Sequence, residues 1–330
     1  MENSFYINEP ENNLLKEKRK VRSVAMFVGV ALIITWIITQ VWSIFYFAIM
    51  KQFGFNSTEA TALFYDPMVS RLVNTVISVI SFTLPFLIIP SGSGISVGEA
   101  VRLTKPEKGS FLPSLLIGAG FCGFSNIASN LLLTLLSGLG MSIPDAGMSP
   151  AISKDPFGMG VAFISTVVVA PLVEEFAFRG AVLGSLRKYG DGLAIIVSAV
   201  MFGLVHGNIR QIPFAFLSGV VLGFITVKSG SLWMGILAHA VNNGIAFASS
   251  ILAGILPAGA VTIFNAALLL LLTAGLFITV MVLGNRSKDF FKLQKSTTET
   301  PQSGLGIIFF TSPFIIVYVI LVVIRVVSTF

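Results

Sequence analysis

The sequence predicts an all-α, polytopic membrane protein. Of its 330 residues, 55% are hydrophobic and only 11% are charged, and the mean hydropathy is +0.90. A soluble domain carries roughly 25% charged residues, so the composition excludes an ordinary water-soluble class. The apolar residues lie in long runs, and a helix satisfies its own backbone hydrogen bonds within lipid. We therefore expect about eight to nine transmembrane helices.

Nine apolar runs are the candidate spans. They are residues 23–49, 70–90, 111–140, 159–186, 193–206, 213–228, 232–254, 259–284 and 305–328. The fifth and sixth runs are short for a bilayer that needs ~20 helical residues, so we expect them to tilt little or to begin inside the protein. The first run is too long for a signal peptide, and no small-residue cleavage site follows it, so it should be retained.

The runs form one multi-span membrane domain, residues 23–284, between polar segments. We expect residues 1–22 to form a charged cytoplasmic tail, residues 285–304 a polar cytoplasmic linker, and residues 305–328 a final transmembrane helix. The sequence shows no soluble domain, glycine-rich phosphate loop or internal repeat. Cys122 is the single cysteine and cannot form an intramolecular disulfide, so we interpret it as a packing residue.

The distribution of positive charge predicts the orientation. If the N-terminus is cytoplasmic, fifteen lysine and arginine residues lie on the cytoplasmic side and five on the other. Positive residues concentrate on the cytoplasmic side of membrane proteins, so we place the N-terminus there. The compact loops favour a bacterial cell membrane. The net charge of +6 then reflects basic segments beside anionic headgroups, and no motif indicates a nucleic-acid partner.

Ionisable side chains inside the apolar runs are few and concentrated. Glu174, Glu175 and Arg179 lie in the fourth run, and both histidines of the chain, His206 and His239, lie within or at the end of later runs. An ionisable group at membrane depth costs at least ~2.5–3.5 kcal/mol on insertion scales. Such a set of residues is therefore a functional-site hypothesis.

Helix geometry divides the acidic residues between two roles. Glu175 and Arg179 are four residues apart, so they share a helix face and can form an ion pair that offsets the cost of burying both. Glu174 is turned about 100° away on the 3.6-residue helix and has no opposite charge at helical spacing. We therefore expect Glu174 to be free to act as a general base.

The three runs also place their polar groups at overlapping depth. With a rise of ~1.5 Å per residue, Glu174 and His206 each lie roughly 20 Å from the nearby charged end of their helix. His239 and Asn243 share a face and lie roughly 10–16 Å from the start of theirs. Gly235, one turn before His239, would let another helix or a substrate backbone approach closely.

Two mechanisms are consistent with these residue types. In the first, Glu174 and a histidine activate a water molecule, while His239 and Asn243 donate hydrogen bonds to an oxyanion. In the second, Glu174, His206 and His239 hold a zinc ion with an open position. The soluble zinc-protease motif HExxH is absent from the sequence.

Three short motifs carry these residues, and they resemble those of a known family. "EEFAFR" at 174–179 fits EExxxR, "FGLVH" at 202–206 fits FxxxH, and "HAVNN" at 239–243 fits HxxxN. In this order they resemble the CAAX-protease and bacteriocin-processing (CPBP, or Abi) family of intramembrane proteases. The resemblance covers about residues 159–254, and we interpret Phe202 within it as a packing residue.

The resemblance implies peptide-bond hydrolysis at a buried intramembrane site that opens toward the cytoplasmic leaflet. By position, Glu174 would be the water-activating base and His206 its partner. His239 and Asn243 would stabilise the oxyanion, and the ion pair described above would support the site. The family is sometimes described as metalloproteases, but we favour the metal-free glutamate mechanism because His239 and Asn243 suit oxyanion donation.

The function implied by the resemblance is that of an endopeptidase acting on a membrane-associated protein or peptide, as in bacteriocin processing, self-immunity or surface-protein processing. A catalytically inactive immunity or binding scaffold and a proton-coupled transporter stay open as alternatives. No inverted repeat supports the transporter, and every catalytic position of the motifs is occupied, which disfavours the scaffold. Family members commonly have about eight spans, so the extra candidate would be the last run.

Overall fold

The computed structural model describes residues 9–143, 155–286, 289–296 and 301–329, and every regular element in these ranges is helical, which confirms the all-α class. The α-helices are α1 (Glu9–Gln52), α2 (Ser57–Tyr65), α3 (Pro67–Thr83), α4 (Ile89–Ser93), α5 (Val97–Ala100), α6 (Phe111–Gly138), α7 (Pro156–Phe163), α8 (Ala170–Glu175), α9 (Gly184–Leu186), α10 (Asp191–Val205), α11 (Ile212–Ser229), α12 (Leu232–Ala253), α13 (Ala258–Arg286), α14 (Gln302–Phe310) and α15 (Pro313–Val327). Two π-helical segments, Ile164–Val169 and Phe176–Leu183, and two 3-10 turns, Pro85–Ile88 and Arg187–Tyr189, continue neighbouring helices.

Seven helical stretches within these ranges are long and apolar enough to cross a membrane, and the number is eight if one bent pair of helices is counted as a single span. The seven are Asn13–Gln52, Pro67–Ser93, Phe111–Gly138, Pro156–Tyr189, Ile212–Ser229, Leu232–Ala253 and Ala258–Asn285. The chain is therefore a polytopic membrane protein. The fifth of the nine expected runs, α10, is not among these stretches, since it is apolar but has 15 residues, fewer than the ~17–25 that a span needs.

The final span is a broken helix, whereas the sequence predicted one continuous helix over 305–328. α14 and α15 are bent by 63° relative to each other. Pro313 begins α15, and Ser312 before it is extended, with φ −64° and ψ 132°. Proline lacks a backbone N–H and restricts the preceding residue to extended backbone, so the break follows from its position. Both halves pack against α1.

Helices extend into both of the polar segments that flank the expected membrane domain. α1 already begins at Glu9, inside the segment 1–22 that was expected to be a tail, because its glutamate, lysine and leucine residues are good helix formers. α14 begins at Gln302, inside the expected linker 285–304, whose residues 289–296 contain no regular helix. Residues 1–8, 287–288 and 297–300 of these segments lie outside the described residues.

The span Pro156–Tyr189 is irregular where the polar residues lie. Its two π-helical segments flank α8, and π-helical turns occur frequently at functional sites. The Ser198 hydroxyl of α10 donates to the Phe178 carbonyl at 2.8 Å. This carbonyl belongs to the second π-helical segment, and lipid has no donor that could take the place of the hydroxyl. At the next residue of α10, a Cβ at Gly219 would lie 3.0 Å from the Ala199 Cα. The small residues thus bring α11 close to α10 beside the π-helical segment.

Candidate active site

The four residues predicted to be catalytic line one cavity of about 200 Å³. Glu174 comes from α8, His206 from the C-terminal end of α10, and His239 and Asn243 from α12. Three separate helices thus bring their polar side chains to one cavity.

The Glu175–Arg179 ion pair lies directly behind this cavity. Arg179 Nη1 is 2.8 Å from Glu175 Oε1, and both side chains are fully buried. Arg179 Nη2 also donates to the Gly219 carbonyl at 3.2 Å, and its guanidinium carbon lies 4.3 Å from the centroid of the Phe202 ring. The guanidinium group therefore combines an ion pair, a hydrogen bond and a cation–π contact, which fix α8 relative to α10 and α11.

The same carboxylate orients His239. His239 Nδ1 lies 2.9 Å from Glu175 Oε1, so Nδ1–H donates to the carboxylate and Nε2 points away from it. Nε2 lies 3.8 Å from Glu174 Oε2. That distance is too long for a direct hydrogen bond but can be bridged by one water molecule. Glu175 therefore connects Arg179 to His239, a link that helix spacing alone did not reveal.

Gly235 makes this link sterically possible. A Cβ at Gly235 would lie 3.0 Å from Glu175 Oε2 and 2.6 Å from Thr226 Oγ1. The glycine thus admits the Glu175 carboxylate and a side chain of α11. Of the two partners expected from the sequence, a neighbouring helix is the one that approaches here.

His206 is oriented by the backbone of its own helix. Its Nδ1 lies 2.8 Å from the Phe202 carbonyl, and because a carbonyl only accepts, Nδ1 carries the hydrogen and Nε2 has the lone pair. The Phe202 ring contacts both imidazoles edge-on, with centroid distances of 5.0 Å to His206 and 5.8 Å to His239. Phe202 therefore packs, as expected, but it does so between Arg179 and the two histidines.

Asn243 is held by the irregular span. Its Nδ2 donates to the Thr166 carbonyl at 2.9 Å, in the first π-helical segment, and its Oδ1 accepts from Asn242 Nδ2 at 3.2 Å. Arg71 of α3 donates to the Thr166 hydroxyl at 3.2 Å. An amide nitrogen has two hydrogens, so one N–H of Asn243 is left for a ligand in the cavity.

Several cavity residues were not identified as candidates from the sequence. Cys122, Gln211, Ser218 and Asn242 also line the cavity. Asn242 does not share a helix face with His239, yet it lines the same cavity. The available signal was the pair of adjacent asparagines in an apolar run; Cys122 and Ser218 gave none, since small residues pack helices in any membrane protein.

The zinc alternative requires Glu174, His206 and His239 to converge on one point. In the described part of the chain, no group of three or more His, Cys, Asp or Glu side chains is placed to hold a metal ion. These three side chains line one cavity, and because His206 Nδ1 bonds the Phe202 carbonyl and His239 Nδ1 bonds Glu175, Nε2 is the nitrogen of each ring that is left for a ligand.

Comparison with known proteins confirms the resemblance given by the motifs. Residues 156–245 match the family model of the Rce1-like proteins, described as type II CAAX prenyl endopeptidase Rce1-like. The putative membrane peptidase YdiL of Bacillus subtilis (strain 168) is 24% identical over 130 residues, which cover 34% of this chain and 53% of that protein. The membrane-embedded CAAX protease MroQ of Staphylococcus aureus (strain USA300) is 26% identical over 147 residues, 42% of this chain and 58% of that protein. The chain thus spans about half the length of the curated relatives it matches, and no solved structure matches it.

Proposed function

We propose that this protein is an intramembrane protease that hydrolyses a peptide bond of a membrane-associated protein or peptide with water activated by Glu174. The observation that carries the proposal is the division of roles between adjacent glutamates. Glu175 is fully buried and bonded to Arg179 and His239, whereas Glu174 lines the cavity with 20% of its side chain exposed. Among the described residues, the nearest basic group to Glu174 is His239 Nε2, 3.8 Å from Glu174 Oε2.

The proposed reaction begins with a water molecule between Glu174 and the two imidazoles. Glu174 removes one proton from the water while the water oxygen attacks the scissile carbonyl carbon. The π electrons of the carbonyl bond move to the carbonyl oxygen. His206 Nε2, which has its lone pair free, accepts a hydrogen bond from the same water. When the tetrahedral intermediate collapses, the C–N bond breaks and protonated Glu174 transfers its proton to the leaving amine.

The oxyanion requires hydrogen-bond donors, and two are available. Asn243 has one amide N–H left after its bond to Thr166. His239 can donate from Nε2 when it is an imidazolium, because Nδ1 already donates to Glu175. With His239 in this form, the two glutamates, Arg179 and His239 together carry no net charge, which suits a buried cluster.

The experiment is peptide cleavage by detergent-purified protein, with a panel of fluorogenic peptides and single-span reporter polypeptides. Wild type is compared with Glu174→Gln and Glu175→Gln, each with and without a chelator. We expect Glu174→Gln to abolish turnover while leaving the fold intact, and the chelator to have no effect. Equal turnover of wild type and Glu174→Gln would contradict the proposal. Loss of activity with the chelator and recovery with zinc would replace the glutamate mechanism by the zinc alternative.

We further propose that the N-terminus faces the cytoplasm of a bacterial cell, because of the lysine and arginine distribution. Roles in bacteriocin processing, self-immunity or surface-protein processing would suit a protease of this kind. The transporter alternative gains no support from the broken final span, since it has no counterpart among the described helices, whereas transporters built from inverted repeats break helices in pairs.

A further inference from the structure

A second cavity of about 350 Å³ adjoins the candidate active site. It lies between α6, α12 and α13, and it shares Cys122 and Asn242 with the first cavity. α13 lies at the edge of the molecule, since most of its residues are exposed. This second cavity, which we call the amide groove, therefore connects the site with the lipid-facing side of the protein.

Glycines on α6 determine where the amide groove lies. A Cβ at Gly120 would lie 2.6 Å from the Leu272 carbonyl oxygen, and one at Gly123 would lie 3.2 Å from Leu269 Cδ1. α13 thus packs closely on α6 at this level and runs antiparallel to it. Continuing the same register by one turn brings Asn126 of α6 level with residues 265–269 of α13, and here the amide groove opens.

Three amides in the groove have hydrogen-bonding groups that no other described residue uses. Asn126 Oδ1 accepts from the asparagine one turn later at 2.7 Å, which leaves its Nδ2 without a partner. Asn265 Oδ1 accepts from Ser249 at 2.8 Å, which also leaves its Nδ2. Asn242 donates to Asn243 and keeps its Oδ1. The groove therefore offers two amide donors and one carbonyl acceptor in a setting where lipid could satisfy none of them.

We propose that the amide groove binds an unwound stretch of the membrane-spanning polypeptide that the neighbouring cavity cleaves; this inference rests on the proposed function. A helix uses its peptide groups internally, whereas an extended backbone presents N–H and C=O groups in alternation. Such a backbone can pair with both donors and the acceptor. The leucines of α13 that line the rest of the groove would contact the side chains of the polypeptide.

The depth of the groove supports this occupant. At ~1.5 Å per residue, Asn265 lies about 11 Å from the start of α13, and Asn242 about 16 Å from the end of α12. These two helix ends are joined by a short connection, so they lie at the same face of the protein. The groove therefore lies within a hydrocarbon core ~30 Å thick, where only a protein partner can satisfy an unwound backbone. An acyl chain, the competing occupant, has no polar group for these amides.

The proposal predicts selection for polypeptides that unwind easily at mid-membrane depth. Two probe peptides test it: a lysine-flanked leucine–alanine span, and the same span interrupted by a central Gly–Pro–Gly, each with a photoreactive benzoylphenylalanine beside the centre. Both are reconstituted in lipid nanodiscs with the Glu174→Gln protein, so that no peptide is consumed. We expect the interrupted peptide to crosslink about tenfold more, at residues 119–126 or 265–272.

The matched variants are Asn126→Leu/Asn265→Leu, which removes both donors, and Asn74→Leu, which removes a lipid-exposed amide of α3 away from the groove. Asn126→Leu/Asn265→Leu should lower crosslinking of the interrupted peptide to that of the uninterrupted one, and Asn74→Leu should not. Equal crosslinking of both peptides, as expected if acyl chains fill the groove, would overturn the proposal, as would a preference that survives Asn126→Leu/Asn265→Leu. Crosslinking measures binding separately from hydrolysis. If the interrupted peptide is preferred but wild type cleaves neither peptide, only the proposed function is refuted. If wild type cleaves peptides but the crosslinking shows no preference, only the proposed role of the amide groove is refuted.

Discussion

Arg179→Met tests whether the buried ion pair and the orientation of His239 depend on one carboxylate. The substitution keeps a long side chain but removes the partner at 2.8 Å from Glu175 Oε1, the hydrogen bond to the Gly219 carbonyl and the contact with the Phe202 ring. Glu175 would then be a fully buried carboxylate whose one remaining partner in the described part of the chain is His239.

The expected effect on stability follows from this isolation. Removing one partner of a buried ion pair destabilises a protein by about 3–5 kcal/mol, because the other charge stays buried without compensation. Replacing both partners by apolar side chains of similar volume is often neutral. Arg179→Met should therefore lower the free energy of unfolding by about 3–5 kcal/mol, and the double variant Arg179→Met/Glu175→Leu should recover most of that loss.

Turnover should not recover with stability. In the double variant His239 has no carboxylate at Nδ1, so its ring is no longer held with Nε2 toward Glu174. A displacement of about 1 Å in a catalytic group can cost about 100-fold in rate, and we expect a loss of at least that size. Stability and activity should thus separate in the double variant, although they fall together in Arg179→Met.

Cys122 provides the assay for the stability arm. It is the single cysteine of the chain and is 5% exposed, so a thiol-reactive dye should report unfolding through this one group. Lys292→Met, which breaks the exposed pair with Asp289, is the control and should leave the Tm unchanged. A loss of less than about 1 kcal/mol in Arg179→Met, or wild-type turnover in the double variant, would refute the reasoning.

Two further predictions concern the other polar contacts of the site. Gly235→Ala should lower turnover about tenfold or more while the protein still folds, because the new Cβ would lie 3.0 Å from Glu175 Oε2 and 2.6 Å from Thr226 Oγ1. Gly244→Ala is the control, since its nearest contact would be 3.6 Å away. Equal turnover of the two variants would contradict the steric argument. Asn243→Ala should lower kcat about 10²–10³-fold with little change in KM if Asn243 stabilises the oxyanion, and a change confined to KM would assign it to substrate binding instead.

The sequence was most informative where helix spacing and composition act alone. Apolar runs located every span, and i, i+4 spacing paired Glu175 with Arg179. Spacing within one helix cannot specify contacts between helices, so the hydrogen bond from His239 to Glu175 and the one from Asn243 to the Thr166 carbonyl were not foreseen. The π-helical segments were also missed, because no local propensity distinguishes them from an α-helix of the same residues.

The short fifth run is where the sequence and the site are most closely connected. The 15 residues of α10 extend ~22 Å from Asp191, short of a hydrocarbon core ~30 Å thick, so His206 lies at membrane depth. Gly207 follows with φ +61°, a conformation that favours glycine and ends the helix. The next loop satisfies its own backbone, since Asn208 Oδ1 accepts from the N–H groups of Arg210 and Gln211.

Non-helical backbone at such depth is tolerated only where it is buried in protein or borders a water-filled cavity. The loop after α10 meets this condition because Gln211, at its end, lines the same cavity as His206. A full-length span in place of α10 would carry its apolar helix past this level and leave no polar loop beside the cavity. The short helix α10 therefore leaves a polar loop beside the cavity that Glu174 lines, where the proposed hydrolysis would need its water.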